Sequence, residues 1–186
     1  MSLVGKIQVD YLSPAQLQNA KIIEREFYWA GLPAGLAAGA IANAWHESKL
    51  NERAYNPSGE DSAGLFQLNA RGGLGSGMSL EDRMDPVINT QRVIQEIKRL
   101  GVDEKVRQNP SVSYAAQVFA KEIERCAACG YQSGSSELHK RAETALKFFP
   151  MYVGYGLQTW MIPAAMGTAT LVALGVYYYT RVYQRA

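Results

Sequence analysis

Between Pro33 and Ser48 the chain reads Pro-Ala-Gly-Leu-Ala-Ala-Gly-Ala-Ile-Ala-Asn-Ala-Trp-His-Glu-Ser, an apolar run of small residues that turns polar at its end. Its glycines lower helix propensity but let neighbours approach closely, so the run is expected to be a central core helix. The next segment, residues 51–77, carries Pro57, Gly59, Gly64, Gly72, Gly73, Gly75 and Gly77. That punctuation predicts loops with a short hairpin. Glu47 stands at the junction. A carboxyl leaving an apolar helix into a polar cleft is placed to remain protonated and to act as an acid.

The flanking elements read as helices. Ser13-Pro14-Ala15-Gln16 offers an N-cap, Pro at the first helical position and a capping-box partner, for a helix from Pro14 to Ala30 that stops at Gly31. Asp85-Pro86 opens another, with Val93, Ile97 and Leu100 on one face and Gly101 at its end. Ser111 caps a third, expected to run through Cys129 to Gly130, and a fourth spans Ser136 to Phe149. Period-two alternation is scarce. The expected fold is mainly α, with a small loop or β lobe.

The 186 residues suit one ordinary domain, residues 1–150, with an appendage, residues 151–186. From Met1 to Lys147 there are 17 basic and 17 acidic residues. This balance argues against nucleic acid as a partner, since its binders cluster Lys and Arg. No charge occurs between Lys147 and Arg181, a stretch of 33 residues. Its centre, Trp160 to Tyr179, is 20 residues long and matches a bilayer core. Trp160 and Tyr177 to Tyr179 stand where interfacial aromatics would. One C-terminal transmembrane helix in a lipid membrane is expected, and Ala165, Ala169 and Ala173 form a seam suited to self-association. Residues 1–12 lack a continuous apolar run of the secretory kind, because Lys6 and Asp10 interrupt it.

Around Glu47 the chain resembles the lysozyme-like lytic transglycosylases, especially the soluble lytic transglycosylase and goose-type lysozyme group. The matching residues are Glu47-Ser48, Asn51, Ala54, Asn56-Pro57-Ser58-Gly59 and Gly64-Leu65-Phe66-Gln67-Leu68, with Asp85-Pro86 and Asn89 as a weaker continuation. The resemblance covers residues 33–125. Phe66 replaces the usual Met, the spacing between the two motifs is two residues longer through Glu60 and Asp61, and the later Tyr-Asn-Ala-Gly motif is not recognisable.

The resemblance implies a lysozyme-like α+β fold with peptidoglycan glycan strands as substrate and Glu47 as catalytic acid. It also implies that no cofactor is needed. Glu47 would protonate the glycosidic oxygen and then act as base, on the muramic acid 6-hydroxyl in a transglycosylase or on water in a muramidase. Gln67 and Asn56 carry amides suited to sugar hydroxyls and N-acetyl groups, with turn capping as the alternative role. Ser62, Ser48 and Phe66 are further candidates for the sugar groove, although Ser48 could bond its own helix end and Phe66 could be core.

Glu52, Glu60 and Asp61 are the nearby candidates for a second carboxylate. His46 points about 100° away from Glu47 on a helix and reads as packing or surface. Cys126 and Cys129, with His139, do not supply four zinc ligands and read as two semi-buried thiols. No metal site is expected.

A wall-cleaving domain bearing a C-terminal membrane span fits a phage virion component that opens the wall locally at entry, or a secretion apparatus. A non-catalytic glycan-binding module and a structural membrane protein are the readings of other classes.

Overall fold

In the computed structural model the structure describes residues 12–126 and 136–155, the last seven by backbone alone. The chain divides into two compact units, residues 1–152 and 153–186, and the elements around Glu47 belong to the first. Seven helices and a three-stranded sheet make up the described part: α1 (Pro14–Trp29), α2 (Ala34–Ser48), β1 (Tyr55–Asn56), β2 (Ser62–Ala63), β3 (Leu68–Asn69), α3 (Leu80–Met84), α4 (Pro86–Leu100), α5 (Val102–Gln108), α6 (Val112–Glu122) and α7 (Ser136–Tyr155).

Local chemistry sets most of the boundaries. Ser13 Oγ accepts from Gln16 N at 3.2 Å while Ser13 N donates to Gln16 Oε1 at 2.9 Å, closing the capping box that starts α1. Asp85 Oδ1 accepts from Val87 N at 2.8 Å and Ile88 N at 2.9 Å to start α4, which ends at Gly101 with φ 64. Two short helices, α3 and α5, add to those expected from the sequence. α3 has its own capping box, made by Ser79 and Asp82.

α6 is shorter than the sequence predicts, ending at Glu122 rather than Cys129. The chain turns out of the helix through Arg125 at φ 50, and the Glu124 and Cys126 N–H groups fold back to the carbonyls of Phe119 and Ala120. Those bonds occupy carbonyls that the helix end would leave orphaned, so termination costs little. Cys126 is disulfide-bonded, which corrects the expectation of free thiols. Cys129 lies outside the described residues.

α2 is the central helix, packed between α1 and α6. Residues Leu36 to Ala44 are all buried along it. Gly39 explains the close approach to α6: a Cβ there would stand 2.9 Å from Ala116 N. Ile23 and Phe27 of α1, Val93 and Ile97 of α4, and Phe119 of α6 complete the core around α2. Full burial of such side chains stabilises by roughly 1.5–3 kcal/mol each.

The hairpin expected in the Gly-rich segment is a small antiparallel sheet of order β1-β2-β3, pairing Tyr55 with Ala63 and Ala63 with Leu68. Among the described residues no helix is long and apolar enough to cross a membrane. The expected span, Trp160 to Tyr179, and its alanine seam lie outside them.

Candidate active site

Glu47 occupies the last turn of α2, with its side chain 25 % exposed. The helix stops one residue later because the chain swings through two left-handed residues, Lys49 at φ 58 and Leu50 at φ 57. Two consecutive non-glycine residues in this region are strained, of order 1–3 kcal/mol each. Side chains of α1 hold them in place: Gln16 Nε2 donates to Lys49 O and Asn19 Nδ2 to Leu50 O, each at 2.9 Å. Those two bonds thus fix the end of α2 against α1 despite the strain.

Ser48 joins helix and lobe. Its hydroxyl lies 3.0 Å from Ala44 O, on its own helix, and 2.8 Å from Leu65 O. The residue that follows Glu47 is thereby bonded to the Gly64–Leu68 strip. Asn89, fully buried on α4, clasps the other side of the strip: Phe66 N donates to Asn89 Oδ1 at 3.2 Å, and Asn89 Nδ2 donates to Arg83 O at 2.6 Å. The residues that carry the resemblance, Ser48, Gly64 to Leu68 and Asn89, thus form one hydrogen-bonded scaffold beneath the site.

The other candidates take varied positions. Gln67 adopts φ 44 and donates through Nε2 to Gly64 O at 3.0 Å and Ala54 O at 3.2 Å. Asn56 is exposed, and its Oδ1 accepts from Ser58 N at 3.2 Å and Ser58 Oγ at 2.6 Å in an Asx turn around Pro57. Ser62 is buried on β2. Phe66 is buried against Phe119, their rings 5.7 Å apart. A shallow cleft lined by Ser13, Gln16, Ser48, Lys49, Asn51 and Glu52 lies past the end of α2, and Glu47 is not part of its wall.

The partner of Glu47 comes from the far end of the domain. Arg141 on α7 is buried, and its Nη2 donates to Glu47 Oε1 at 2.7 Å. Its Nη1 donates to Asn43 Oδ1 at 2.7 Å, and its Nε to Glu137 Oε1 at 3.3 Å. Asn43, one turn before Glu47, is itself fixed by Nδ2 bonds to Gly39 O and Ala116 O. The guanidinium fork is thus held from three sides, a geometry that Lys could not reproduce. His46 meets the same helix, with Nε2 3.1 Å from Thr144 Oγ1 and Nδ1 3.6 Å from Glu137 Oε1. Burial, and then the Arg141 charge, pull His46 below the usual imidazole range.

The three carboxylates suggested by sequence have other attachments. Asn19 Nδ2 donates to Glu52 at 2.5 Å, Asp61 pairs with Arg83 at 3.4 Å, and Glu60 is exposed. The carboxyl that feels the charge of Glu47 is Glu124, just beyond α6. Burial holds it well above the usual carboxylate range, and the negative Glu47 adds to the effect while Arg141 opposes it. Among the described residues no group of three His, Cys, Asp or Glu side chains is placed to hold a metal ion.

A helical domain whose buried central helix delivers one glutamate to the edge of a Gly-rich lobe belongs to the lysozyme-like class. Residues 18–152 match the family model described as phage tail lysozyme, and the chain belongs to that family. Its class is thereby a peptidoglycan-directed, lysozyme-like glycosidase. No curated protein and no solved structure matches the chain.

Proposed function

We propose that the protein is a lytic transglycosylase that cleaves the β-1,4 bond between N-acetylmuramic acid and N-acetylglucosamine, with Glu47 as general acid and then base. The observation that carries this reading is the position of Glu47: partly exposed, at the end of the central helix, and next in the chain to Ser48, which bonds the strip that Asn89 also holds. The proton of Glu47 passes to the glycosidic oxygen as the bond to the anomeric carbon breaks. The substrate's own acetamido group stabilises the developing cation, so one protein carboxylate suffices. Glu47 then takes the proton of the muramic acid 6-hydroxyl as that oxygen closes an anhydro ring. In a muramidase, water would take the place of the hydroxyl.

Gln67 and Asn56 border the groove in this reading, with Ser62 and Phe66 supporting it from beneath and Ser48 fixing its edge. Family membership supports a virion-associated enzyme that opens the wall locally at entry. The charge-free Trp160–Tyr179 segment supports a membrane anchor beside it.

Digestion of purified peptidoglycan, read by mass spectrometry, separates the reactions. Anhydro ends, lighter by one water, are expected; reducing ends would make the protein a muramidase. Glu47→Gln should reduce cleavage by about 10²–10⁴-fold, the usual contribution of a positioned acid. A folded Glu47→Gln protein that cleaves at the wild-type rate would move the acid to another residue, and a folded wild type that cleaves nothing would leave only glycan binding or a structural role.

A further inference from the structure

The contact with Arg141 decides which oxygen of Glu47 can carry a proton. A guanidinium donates hydrogen bonds and accepts none. The oxygen it meets, Oε1, lies 2.7 Å from Nη2 and must therefore be an acceptor. It is the carbonyl oxygen when the carboxyl is protonated and a carboxylate oxygen when it is not. Among the described residues no hydrogen bond occupies the other oxygen, Oε2, and the side chain is 25 % exposed. A proton on Glu47 thus has one place.

Arg141 is not free to release Oε1. Its remaining contacts lie on two helices: Nη1 donates to Asn43 Oδ1 at 2.7 Å and Nε to Glu137 Oε1 at 3.3 Å. Asn43 is fully buried and is pinned by its own amide, 2.7 Å from Gly39 O and 3.2 Å from Ala116 O. α7, which carries the arginine, meets the same turn of α2 at two further points. Trp45 and Phe148 have ring centroids 6.1 Å apart, and His46 Nε2 lies 3.1 Å from Thr144 Oγ1. The fork is thus tied to α2 and α7 directly and to α6 through Asn43.

We propose that Arg141 is the positioning residue of the glycosidase reaction, reserving Glu47 Oε2 as the oxygen that both gives and takes the proton. The proposal rests on reading Glu47 as the acid. The Oε2–H bond breaks as the proton passes to the glycosidic oxygen, which leaves the anomeric carbon with the electron pair of that bond. The muramic acid 6-hydroxyl, or water in a muramidase, then bonds to the anomeric carbon and returns its proton to Oε2. Both transfers use one oxygen, so the carboxyl need not rotate between them. Arg141 touches neither the glycan nor the proton and acts through the orientation of Glu47.

The test is steady-state cleavage of soluble peptidoglycan fragments by the full-length protein, with rates expressed per folded molecule from circular dichroism. Arg141→Ala should lower kcat about 100-fold, the scale of a small misplacement of a reacting group, and leave KM unchanged. Guanidinium ion at a non-denaturing concentration should restore part of the lost kcat by refilling the place of the fork. Methylammonium, with the same charge and no fork, should not. A kcat that guanidinium leaves unaltered, or that methylammonium restores equally, would overturn the proposal, as would a loss confined to KM.

Arg141→Lys keeps a buried cation and serves should the alanine variant not fold. Its kcat should also fall with KM unchanged, since an ammonium cannot hold Glu47 and Asn43 together as the fork does. A folded Arg141→Lys protein with the wild-type kcat would end the proposal and leave Glu47 as the acid. Cleavage retained by Glu47→Gln would instead remove the reading of Glu47 on which the proposal rests.

Discussion

Arg141 and Glu47 meet at 2.7 Å although 94 residues separate them in the chain. The pair fastens α7 to the end of the central helix, and the same guanidinium satisfies the buried Asn43. Fold and candidate chemistry therefore share one side chain. Removing it would unfasten a helix and change the field at the glutamate together.

Arg141→Met should lower stability by about 3 kcal/mol, the low end for breaking a buried ion pair, because Glu47 keeps partial access to water. Arg141→Lys should recover only part of this, since an ammonium cannot reach Asn43, Glu47 and Glu137 as the fork does. Urea denaturation midpoints of the two variants give the answer. A loss below about 0.5 kcal/mol for Arg141→Met, the range of ordinary surface changes, would mean that α7 is held by packing alone.

Gly64→Ala should disrupt the lobe. Gly64 has φ 81, and a Cβ there would overlap the Arg83 carbonyl and the Asn89 amide. Neither neighbour is free to move, because Arg83 is buried among lobe carbonyls and Asn89 clasps the strip. A loss above about 4 kcal/mol is expected, the range reserved for named steric faults. Hydrogen exchange should show the damage first at Ser62 to Asn69. Native-like protection there would contradict the close approach.

Gly39→Val tests the helix contact instead. The added side chain starts 2.9 Å from Ala116 N, so α2 and α6 must separate. Overpacking of this kind costs about 1–3 kcal/mol, and a thermal melt should register it. The same separation moves Asn43 away from Ala116 O, to which it bonds at 3.2 Å. Cleavage activity should therefore fall further than stability, through Arg141. Unchanged activity in a destabilised protein would separate the contact from the site.

The features legible in the sequence are those that short-range chemistry decides. The Ser13 and Asp85 caps, the Gly101 stop and the buried small-residue helix ending at Glu47 all depend on residues within a few positions of one another. The Ser79–Asp82 capping box carries the same kind of signal for α3, on an element too short to show apolar periodicity. α6 ends well before Gly130 because its closing turn uses Arg125, a residue type with no preference for positive φ. Arg141 and Glu124 have no local signal. In sequence Arg141 is one more charge flanking the apolar C-terminal segment. Only the packing of α7 on α2 brings it to Glu47.

Stability against pH offers a test that needs no substrate. Burial raises Glu24 on α1 to about 7 from the ordinary 4.5, with Lys21 opposing the shift. Between those values the folded chain holds a proton that the unfolded chain has released, so stability falls as pH rises from 4.5 to about 7. Glu124, shifted upward by burial and by Glu47, extends the same slope. His46 works the other way: its folded form is lowered from 6.5, so acidification below 6.5 protonates the unfolded chain first and stability rises with pH across that window. Glu24→Gln isolates one contribution. It should match the wild type near pH 4.5 and exceed it increasingly up to pH 7, by urea denaturation at each pH. Parallel stability curves would show that Glu24 is ionised in the folded protein and that α1 accommodates its charge.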